Sequence, residues 1–204
     1  MNIRQFEQQF NTIHPISVRQ IRLQESNFAM QQLHIRAEKW WIHNLIRWRW
    51  ILPQTLQKNW YKANISNMIY EPSYISLERA LRYYNLIPEG VFMVTACTSK
   101  KTQIFDTIAG MFSYRSLSPS LMFGYELQIV GDYSTIRIAT VEKAICDYIY
   151  LHPEISGIED FEEMRINKFV RNDLATTQKL LSYAQHYPKT TQQRIQFFLD
   201  YIMS

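Results

Sequence analysis

The distribution of glycine constrains this fold more than any other feature of the sequence. All five glycines of the 204-residue chain lie at or beyond position 90. The first 89 residues must therefore turn without the residue that adopts left-handed backbone conformations at no steric cost. Helices joined by short polar turns meet that requirement better than tight hairpins do. The second part, by contrast, has glycines at the spacing expected of β-turns.

Charge divides the chain in a similar way. Residues 1–70 contain nine lysines and arginines against three acidic residues, whereas residues 71–204 contain 13 against 15. A basic module followed by a mildly acidic one favours a polyanion, such as nucleic acid, as the partner of the first part. The alternative is a chance imbalance of surface charge.

The sequence also indicates where the protein resides. It contains no apolar run long enough to span a bilayer, so no membrane partner is expected. Its amino terminus is polar and lacks the apolar region of a secretory signal. Cys97 and Cys146 lie far apart, outside any metal-binding spacing, which favours reduced structural thiols. We therefore expect a cytoplasmic protein without a metal.

Apolar residues at helical spacing predict three short helices near the amino terminus, over residues 2–10, 17–23 and 26–39. Ser17 is the expected N-cap of the second helix, and Ser26 or Asn27 that of the third. The third helix is rich in amide and basic side chains. Three short helices of this kind have the layout of a helix-turn-helix.

Residues 40–52, WWIHNLIRWRWIL, change period from helical to alternating. Alternation places Trp48 and Trp50 on one face, where we expect them in the core, and the arginines on the other. This pattern predicts a two-stranded ribbon with its tip at residues 46–48, which makes the module a winged helix-turn-helix. The tip lacks glycine, asparagine and aspartate, which counts against a tight two-residue turn. The alternative is a helix to Asn44 followed by a single strand.

The whole chain is predicted to be α+β. A winged helix-turn-helix with a bridging helix occupies residues 1–70, and a C-terminal mixed α/β domain with antiparallel hairpins and terminal helices occupies residues 71–204. The predicted strands are 91–97, 103–108, 111–115, 126–130 and 135–139. The predicted helices of this region, together with the bridging helix, are 59–70, 77–84, 141–151, 159–165, 173–186 and 189–203. Ser76 and Thr140 are the expected N-caps of two of them.

Eight residues of the first part have the chemistry of DNA contacts. Amides can pair with adenine edges, and arginine with guanine. The candidates for base contact are Gln31, Gln32 and Arg36. The candidates for phosphate or groove contact are Arg19, Arg22, Lys39, Arg47 and Arg49. The alternative is an ordinary solvated helix face.

A second basic feature lies in the other part of the chain. Lys100 and Lys101 occupy a predicted turn that can bind an anion or a protein partner, or that simply forms a hairpin tip.

The sequence contains no pattern typical of an enzyme. Neither a Gly-x-Gly-x-x-Gly loop nor a P-loop is present. Glu142 and Asp147 lie five residues apart on one predicted helix, so they do not share a face and are expected at the surface. Neither cysteine has a histidine close by in the sequence. We therefore expect no catalytic activity and no cofactor.

Three segments, in order, resemble AbiEi-type antitoxins, which are transcriptional regulators of bacterial abortive-infection toxin–antitoxin pairs. They are EPSYISLERALRYYNLIPE (71–89), TSKKTQIFDTIAGMFSYRSLSPSLMFGY (98–125) and IATVEKAICDYIYL (138–151). The resemblance covers roughly residues 59–151. The segment LHIRAEKWWIHNLIRWRWIL (33–52) is similar in pattern to the family's recognition-helix end and wing. Trp40 and Trp48 stand where the family usually has glycine.

The resemblance implies a winged-helix module that binds double-stranded promoter DNA and represses its own operon, and a C-terminal domain that supplies antitoxicity. It also implies a nucleotidyltransferase-like toxin as functional partner, without a stable complex. An oligomer is compatible with this role. The alternative function is a protein-interaction module that neutralises a toxin without binding DNA.

Overall fold

The protein is described here from a computed structural model, which covers residues 5, 8, 15–40, 42–57, 61–88, 90, 92–131, 134–167 and 174–203. These residues form a mixed α/β structure with two separate sheets, compatible with the predicted α+β class. The helix predicted over residues 2–10 falls outside the described residues, apart from Gln5 and Gln8, which are helical.

The first sheet has three short strands, and its helices are inserted between the first and second of them. The elements, in chain order, are β1 (Ile16–Ser17), α1 (Val18–Gln24), α2 (Gln31–Glu38), β2 (His43–Ile46) and β3 (Arg49–Ile51). The strand order is β1-β3-β2, and both pairings are antiparallel. The predicted ribbon is confirmed, and the alternative of a helix to Asn44 is wrong.

Helix α1 has a side-chain cap at its N-terminal end, whereas α2 does not. Ser17 caps α1 as predicted, because its Oγ accepts a hydrogen bond from the Gln20 amide at 3.1 Å, while the Gln20 side chain accepts one from the Ser17 amide at 2.8 Å. Helix α2 begins at Gln31, and its N-cap, Met30, provides no side-chain hydrogen bond. The cap predicted at Ser26 or Asn27 is therefore wrong.

The second part is built on a six-stranded sheet. Its strands are β4 (Ser73–Ile75), β5 (Val94–Thr98), β6 (Gln103–Thr107), β7 (Gly110–Ser116), β8 (Tyr125–Val130) and β9 (Ser134–Ala139). The order is β6-β7-β5-β4-β9-β8. The two predicted hairpins, β6–β7 and β8–β9, are confirmed as antiparallel pairs. The pairs β5–β7 and β4–β9 are parallel, so the sheet is mixed.

Helices surround this sheet close to where the sequence predicts them. They are α3 (Tyr61–Ile69), α4 (Leu77–Tyr83), α5 (Val141–Leu151), α6 (Ile158–Glu163), α7 (Leu174–Ala184) and α8 (Lys189–Met203). Thr140 caps α5 as predicted, accepting a hydrogen bond from the Lys143 amide. Ser76 does not cap α4 through its side chain, because its hydroxyl is engaged in the buried cluster described below.

The buried hydrophobic residues form two clusters. The smaller one contains eight residues between Ile16 and Leu52. Helix α3, predicted as part of the first module, packs instead in the larger cluster, together with Leu45 and Ile51 of the hairpin. Tyr61 of α3 donates a hydrogen bond to the carbonyl of Ala109 at 3.1 Å. The β2–β3 hairpin therefore contributes side chains to both cores.

Candidate nucleic-acid interface

Four arginines of the first part carry charge that no neighbour among the described residues neutralises through an ion pair. Arg19 and Arg22 are exposed on α1, Arg47 is exposed at the hairpin tip, and Arg49 is half-buried beside it. None of the four forms an ion pair with any other residue that the structure describes. An unneutralised guanidinium keeps its donors and its field available for phosphate.

Helix α2 presents its amides to solvent. Gln31, Gln32 and Lys39 are exposed, as the sequence predicts. Leu33 is fully buried on the opposite face and anchors the helix in the small core. An exposed glutamine at the start of a helix has the donor and acceptor that read an adenine edge.

Arg36 is placed differently from its prediction. Its side chain is 5% exposed, and its guanidinium lies 5.1 Å from the centre of the Phe28 ring. It also donates to the Gln32 side chain at 3.5 Å. Burial lowers the pKa of Arg36, and the nearby Glu25 opposes that shift. This placement argues against the expected guanine contact, because the side chain packs under α2 rather than outwards.

Trp40 and Trp48 occupy the backbone conformation that glycine favours. Their φ angles are +59° and +69°, both in the left-handed region. A residue with a side chain pays on the order of 1–2 kcal/mol there. The tip is held in place by the Val18 amide, which donates to the Trp48 carbonyl at 3.3 Å. The turn at Trp48 is therefore held in this conformation although its residue carries a large side chain.

The tryptophans are not all in the core as expected. Trp50 is 3% exposed and is a core residue, whereas Trp48 is 49% exposed and Trp40 is 74% exposed. Trp41 lies outside the described residues. The strict alternation fails because the hairpin lies between two cores. Alternation would place Ile51 on the same face as Arg47 and Arg49, yet it is as buried as Trp50.

The exposed indole of Trp48 borders a cleft. The cleft has a volume of about 530 Å³, and Val18 and Leu23 line it together with Trp48. Arg19 and Arg22 also line it. The Arg47 guanidinium lies 5.2 Å from the centre of the Trp48 ring. Aromatic, apolar and cationic groups thus meet at the hairpin tip.

The Lys100–Lys101 turn lies on the second sheet. Both lysines are exposed. The turn connects β5 to β6, which are not neighbours because β7 lies between them, so the reading as a hairpin tip is wrong. Tyr70 supports the turn: its hydroxyl donates to the Lys101 carbonyl at 3.1 Å, and the Lys100 ammonium lies 5.2 Å from the centre of its ring.

A fully buried polar cluster connects α5 with three other segments, and the sequence analysis missed it. Lys143 and Asp147 form an ion pair in which neither side chain is exposed. Asp147 also accepts hydrogen bonds from Tyr187 at 2.7 Å, Tyr74 at 2.8 Å and Ser76 at 2.9 Å. The lysine and aspartate stand at positions i and i+4 of one helix, a spacing that identifies an ion pair but not its burial.

The expected surface position of Glu142 and Asp147 is wrong. Glu142 is 5% exposed and Asp147 is 0% exposed. They do not pair with each other: Glu142 contacts Lys179 at 3.2 Å, and Asp147 contacts Lys143. With four donors to its two oxygens, Asp147 is a structural group rather than an accessible base.

Comparison with protein-family models and with curated proteins finds no match to this chain. Within the described part of the chain, no helix combines the length and apolar character needed to cross a membrane. The same residues contain no group of three or more His, Cys, Asp or Glu side chains suited to a metal ion.

Proposed function

We propose that this protein is a sequence-specific DNA-binding repressor that also acts as the antitoxin of a bacterial abortive-infection type pair. The element order β1-α1-α2-β2-β3, with sheet order β1-β3-β2, is compatible with a winged helix whose recognition helix is α2. The observation that carries the proposal is a set of four arginines around this unit that form no ion pair with any residue the structure describes. It supports phosphate binding, since such charges release counterions from DNA.

In this proposal, α2 enters the major groove and the hairpin tip lies beside it. Gln31 and Gln32 supply base contacts, and Lys39 with the four arginines supplies phosphate contacts. Repression follows from occlusion of the promoter, and no catalytic step is required. The resemblance of residues 59–151 to AbiEi-type antitoxins supports the regulatory and antitoxin roles together.

Binding to a duplex from the region upstream of the gene tests the proposal. Fluorescence anisotropy at about 50 and 200 mM salt gives the affinity and its salt slope. Replacing Arg47 and Arg49 together by alanine is expected to weaken binding and to reduce the slope by roughly two. The same result is expected for Arg19 and Arg22 together.

Lys100→Ala with Lys101→Ala is the matched control, because it removes two exposed charges from the second sheet. It is expected to leave the salt slope unchanged. Absence of binding at low salt would refute the DNA-binding proposal. An affinity that neither double arginine replacement changes would refute it as well.

The antitoxin role has a separate test. A nucleotidyltransferase-like toxin encoded beside this gene is expected to arrest growth, and this chain to relieve the arrest. Because the C-terminal domain is proposed to supply antitoxicity, relief is expected to persist when Arg47 and Arg49 are replaced. Loss of relief in that variant would contradict the division of roles.

A further inference from the structure

Trp48 carries a conformational cost that the packing of the protein does not explain. It occupies a two-residue turn with φ +69°, where glycine is favoured, yet 49% of its surface remains exposed. The hydrogen bond that holds this turn runs from the Val18 amide to the backbone carbonyl of Trp48. A smaller residue could therefore close the same turn. Strained positions of this kind are retained where they serve a function.

The surroundings of Trp48 identify the ligand chemistry. Arg47 and Arg49 flank it in the sequence, Arg47 stacks near its ring, and Arg19 and Arg22 line the cleft beside it. An exposed apolar ring among several positive charges suits a polyanion that also offers flat apolar surfaces. Nucleic acid has both, because its bases stack and its phosphates are negative.

The composition of the hairpin tip favours duplex DNA entered from the minor groove. The tip consists of only Arg47 and Trp48 between β2 and β3. Proteins that bind the minor groove combine basic side chains, which read the groove, with apolar side chains that enter it. Apolar side chains that enter this groove insert between base steps and kink the duplex.

We propose that Trp48 is an apolar wedge that inserts at a base step in the minor groove of bound DNA and bends it. Arg47 and Arg49 hold the groove edges beside it. This inference rests on the proposed DNA-binding function and adds to it a contact that depends on shape rather than on charge.

Trp40 provides an internal comparison. It is also a left-handed, exposed tryptophan, but it lies after α2, not at the hairpin tip, and its ring contacts His43 at 5.9 Å between ring centres. Its sequence neighbours are Lys39 and Trp41, so it lacks the pair of arginines that flanks Trp48. It therefore controls for the loss of an exposed indole and for the relief of backbone strain.

Trp48→Gly is the decisive variant, because glycine keeps the turn and relieves its strain. With a duplex from the upstream region, we expect this variant to lose roughly tenfold in affinity and to keep the salt slope unchanged. We also expect a smaller DNA bend, measured by Förster resonance energy transfer between dyes at the two ends of the duplex. 2-Aminopurine placed across the binding site reports unstacking by increased fluorescence. The wild-type protein is expected to increase the fluorescence at one base step, and the Trp48→Gly variant is expected to give no increase.

Two further variants complete the test. Trp48→Phe is expected to retain the bend in part, and Trp40→Gly is expected to behave as wild type. If the wild-type protein binds and Trp48→Gly bends the DNA equally, the wedge is overturned while DNA binding stands. An equal loss in Trp40→Gly would also overturn it. If the wild-type protein does not bind at all, the proposed function itself fails.

Discussion

The buried pair of Lys143 and Asp147 provides the most quantitative prediction of stability. Both side chains are completely enclosed, and the lysine ammonium bonds to Asp147 and to the Tyr187 hydroxyl. It also lies 4.6 Å from the centre of the Phe123 ring. Burying two charges is costly, so the pair persists only because each charge has the other and several hydrogen bonds.

The perturbation is Lys143→Met, which preserves most of the side-chain volume and removes the charge. Asp147 would then keep hydrogen bonds from three neutral hydroxyls, those of Tyr187, Tyr74 and Ser76. Its carboxylate would have no cation in a site closed to water. Removing one partner of a buried ion pair costs about 3–5 kcal/mol in the free energy of unfolding. For a chain of this size, that corresponds to a fall in Tm of about 6–20 °C.

The double variant Lys143→Met with Asp147→Asn separates the charge from the packing. An asparagine retains one oxygen that accepts hydrogen bonds from the surrounding hydroxyls, and it leaves no charge unpaired. We expect the double variant to be more stable than Lys143→Met alone by about 1–3 kcal/mol. Asp147→Asn alone leaves the buried Lys143 without an anion and is expected to cost about 3–5 kcal/mol as well. The sum of the two single losses should therefore exceed the loss in the double variant by at least about 4 kcal/mol.

Urea denaturation followed by circular dichroism measures these free energies. Glu71→Gln is the matched control: this carboxylate also pairs with a cation, that of Arg137 at 3.8 Å, but 55% of its side chain is exposed. Its loss is expected to cost at most about 1 kcal/mol. A cost below about 1 kcal/mol for Lys143→Met, or strictly additive single losses, would refute the reasoning.

Three further predictions follow from other sites. Cys97 and Cys146 are buried, and desolvation raises the pKa of both thiols; we expect neither to react with a thiol reagent until denaturant unfolds the protein, and fast labelling of the native protein would contradict this. Gly124→Ala is expected to destabilise the protein by about 1–3 kcal/mol, measured by thermal denaturation, because φ is +68° and the new Cβ would lie 2.9 Å from the Tyr183 ring. Amide hydrogen bonds from Ser156 and Gly157 lower the pKa of the Asp160 carboxyl, so its contribution to stability is present above the unfolded-state pKa and is lost as pH falls through the folded-state pKa; Asp160→Ala should lower Tm slightly at pH 7 but not in acid, and an equal deficit at both pH values would contradict the linkage.

Local structure was predictable because short-range chemistry determines it. Ser17 and Thr140 begin helices because each side chain satisfies an amide of the first turn. The β6–β7 and β8–β9 hairpins follow from alternating residues around Gly110 and Gly131. The ribbon in residues 40–52 also follows from alternation, even without glycine at its tip.

Predictions about which side chain faces outwards were less successful, because packing between elements decides exposure. Arg36 has the residue type and helix position of a base contact, yet it is enclosed against Phe28. Trp48 has the residue type of a core group, yet it stands half in solvent because the tip extends past both cores. Neither outcome is encoded in the spacing of neighbouring residues.

The sequence by itself determined most of the helices and the hairpins, the basic character of the first part and the turns that close the second, but not the short strands β1 and β4. Those properties depend on each residue and its near neighbours along the chain. Only the tertiary structure decided that Lys143 and Asp147 share a closed site with Tyr74 and Tyr187, since these side chains come from distant segments. It also decided that Trp40 and Trp48 adopt a left-handed backbone conformation, because backbone hydrogen bonds at each turn hold the chain there against its local preference.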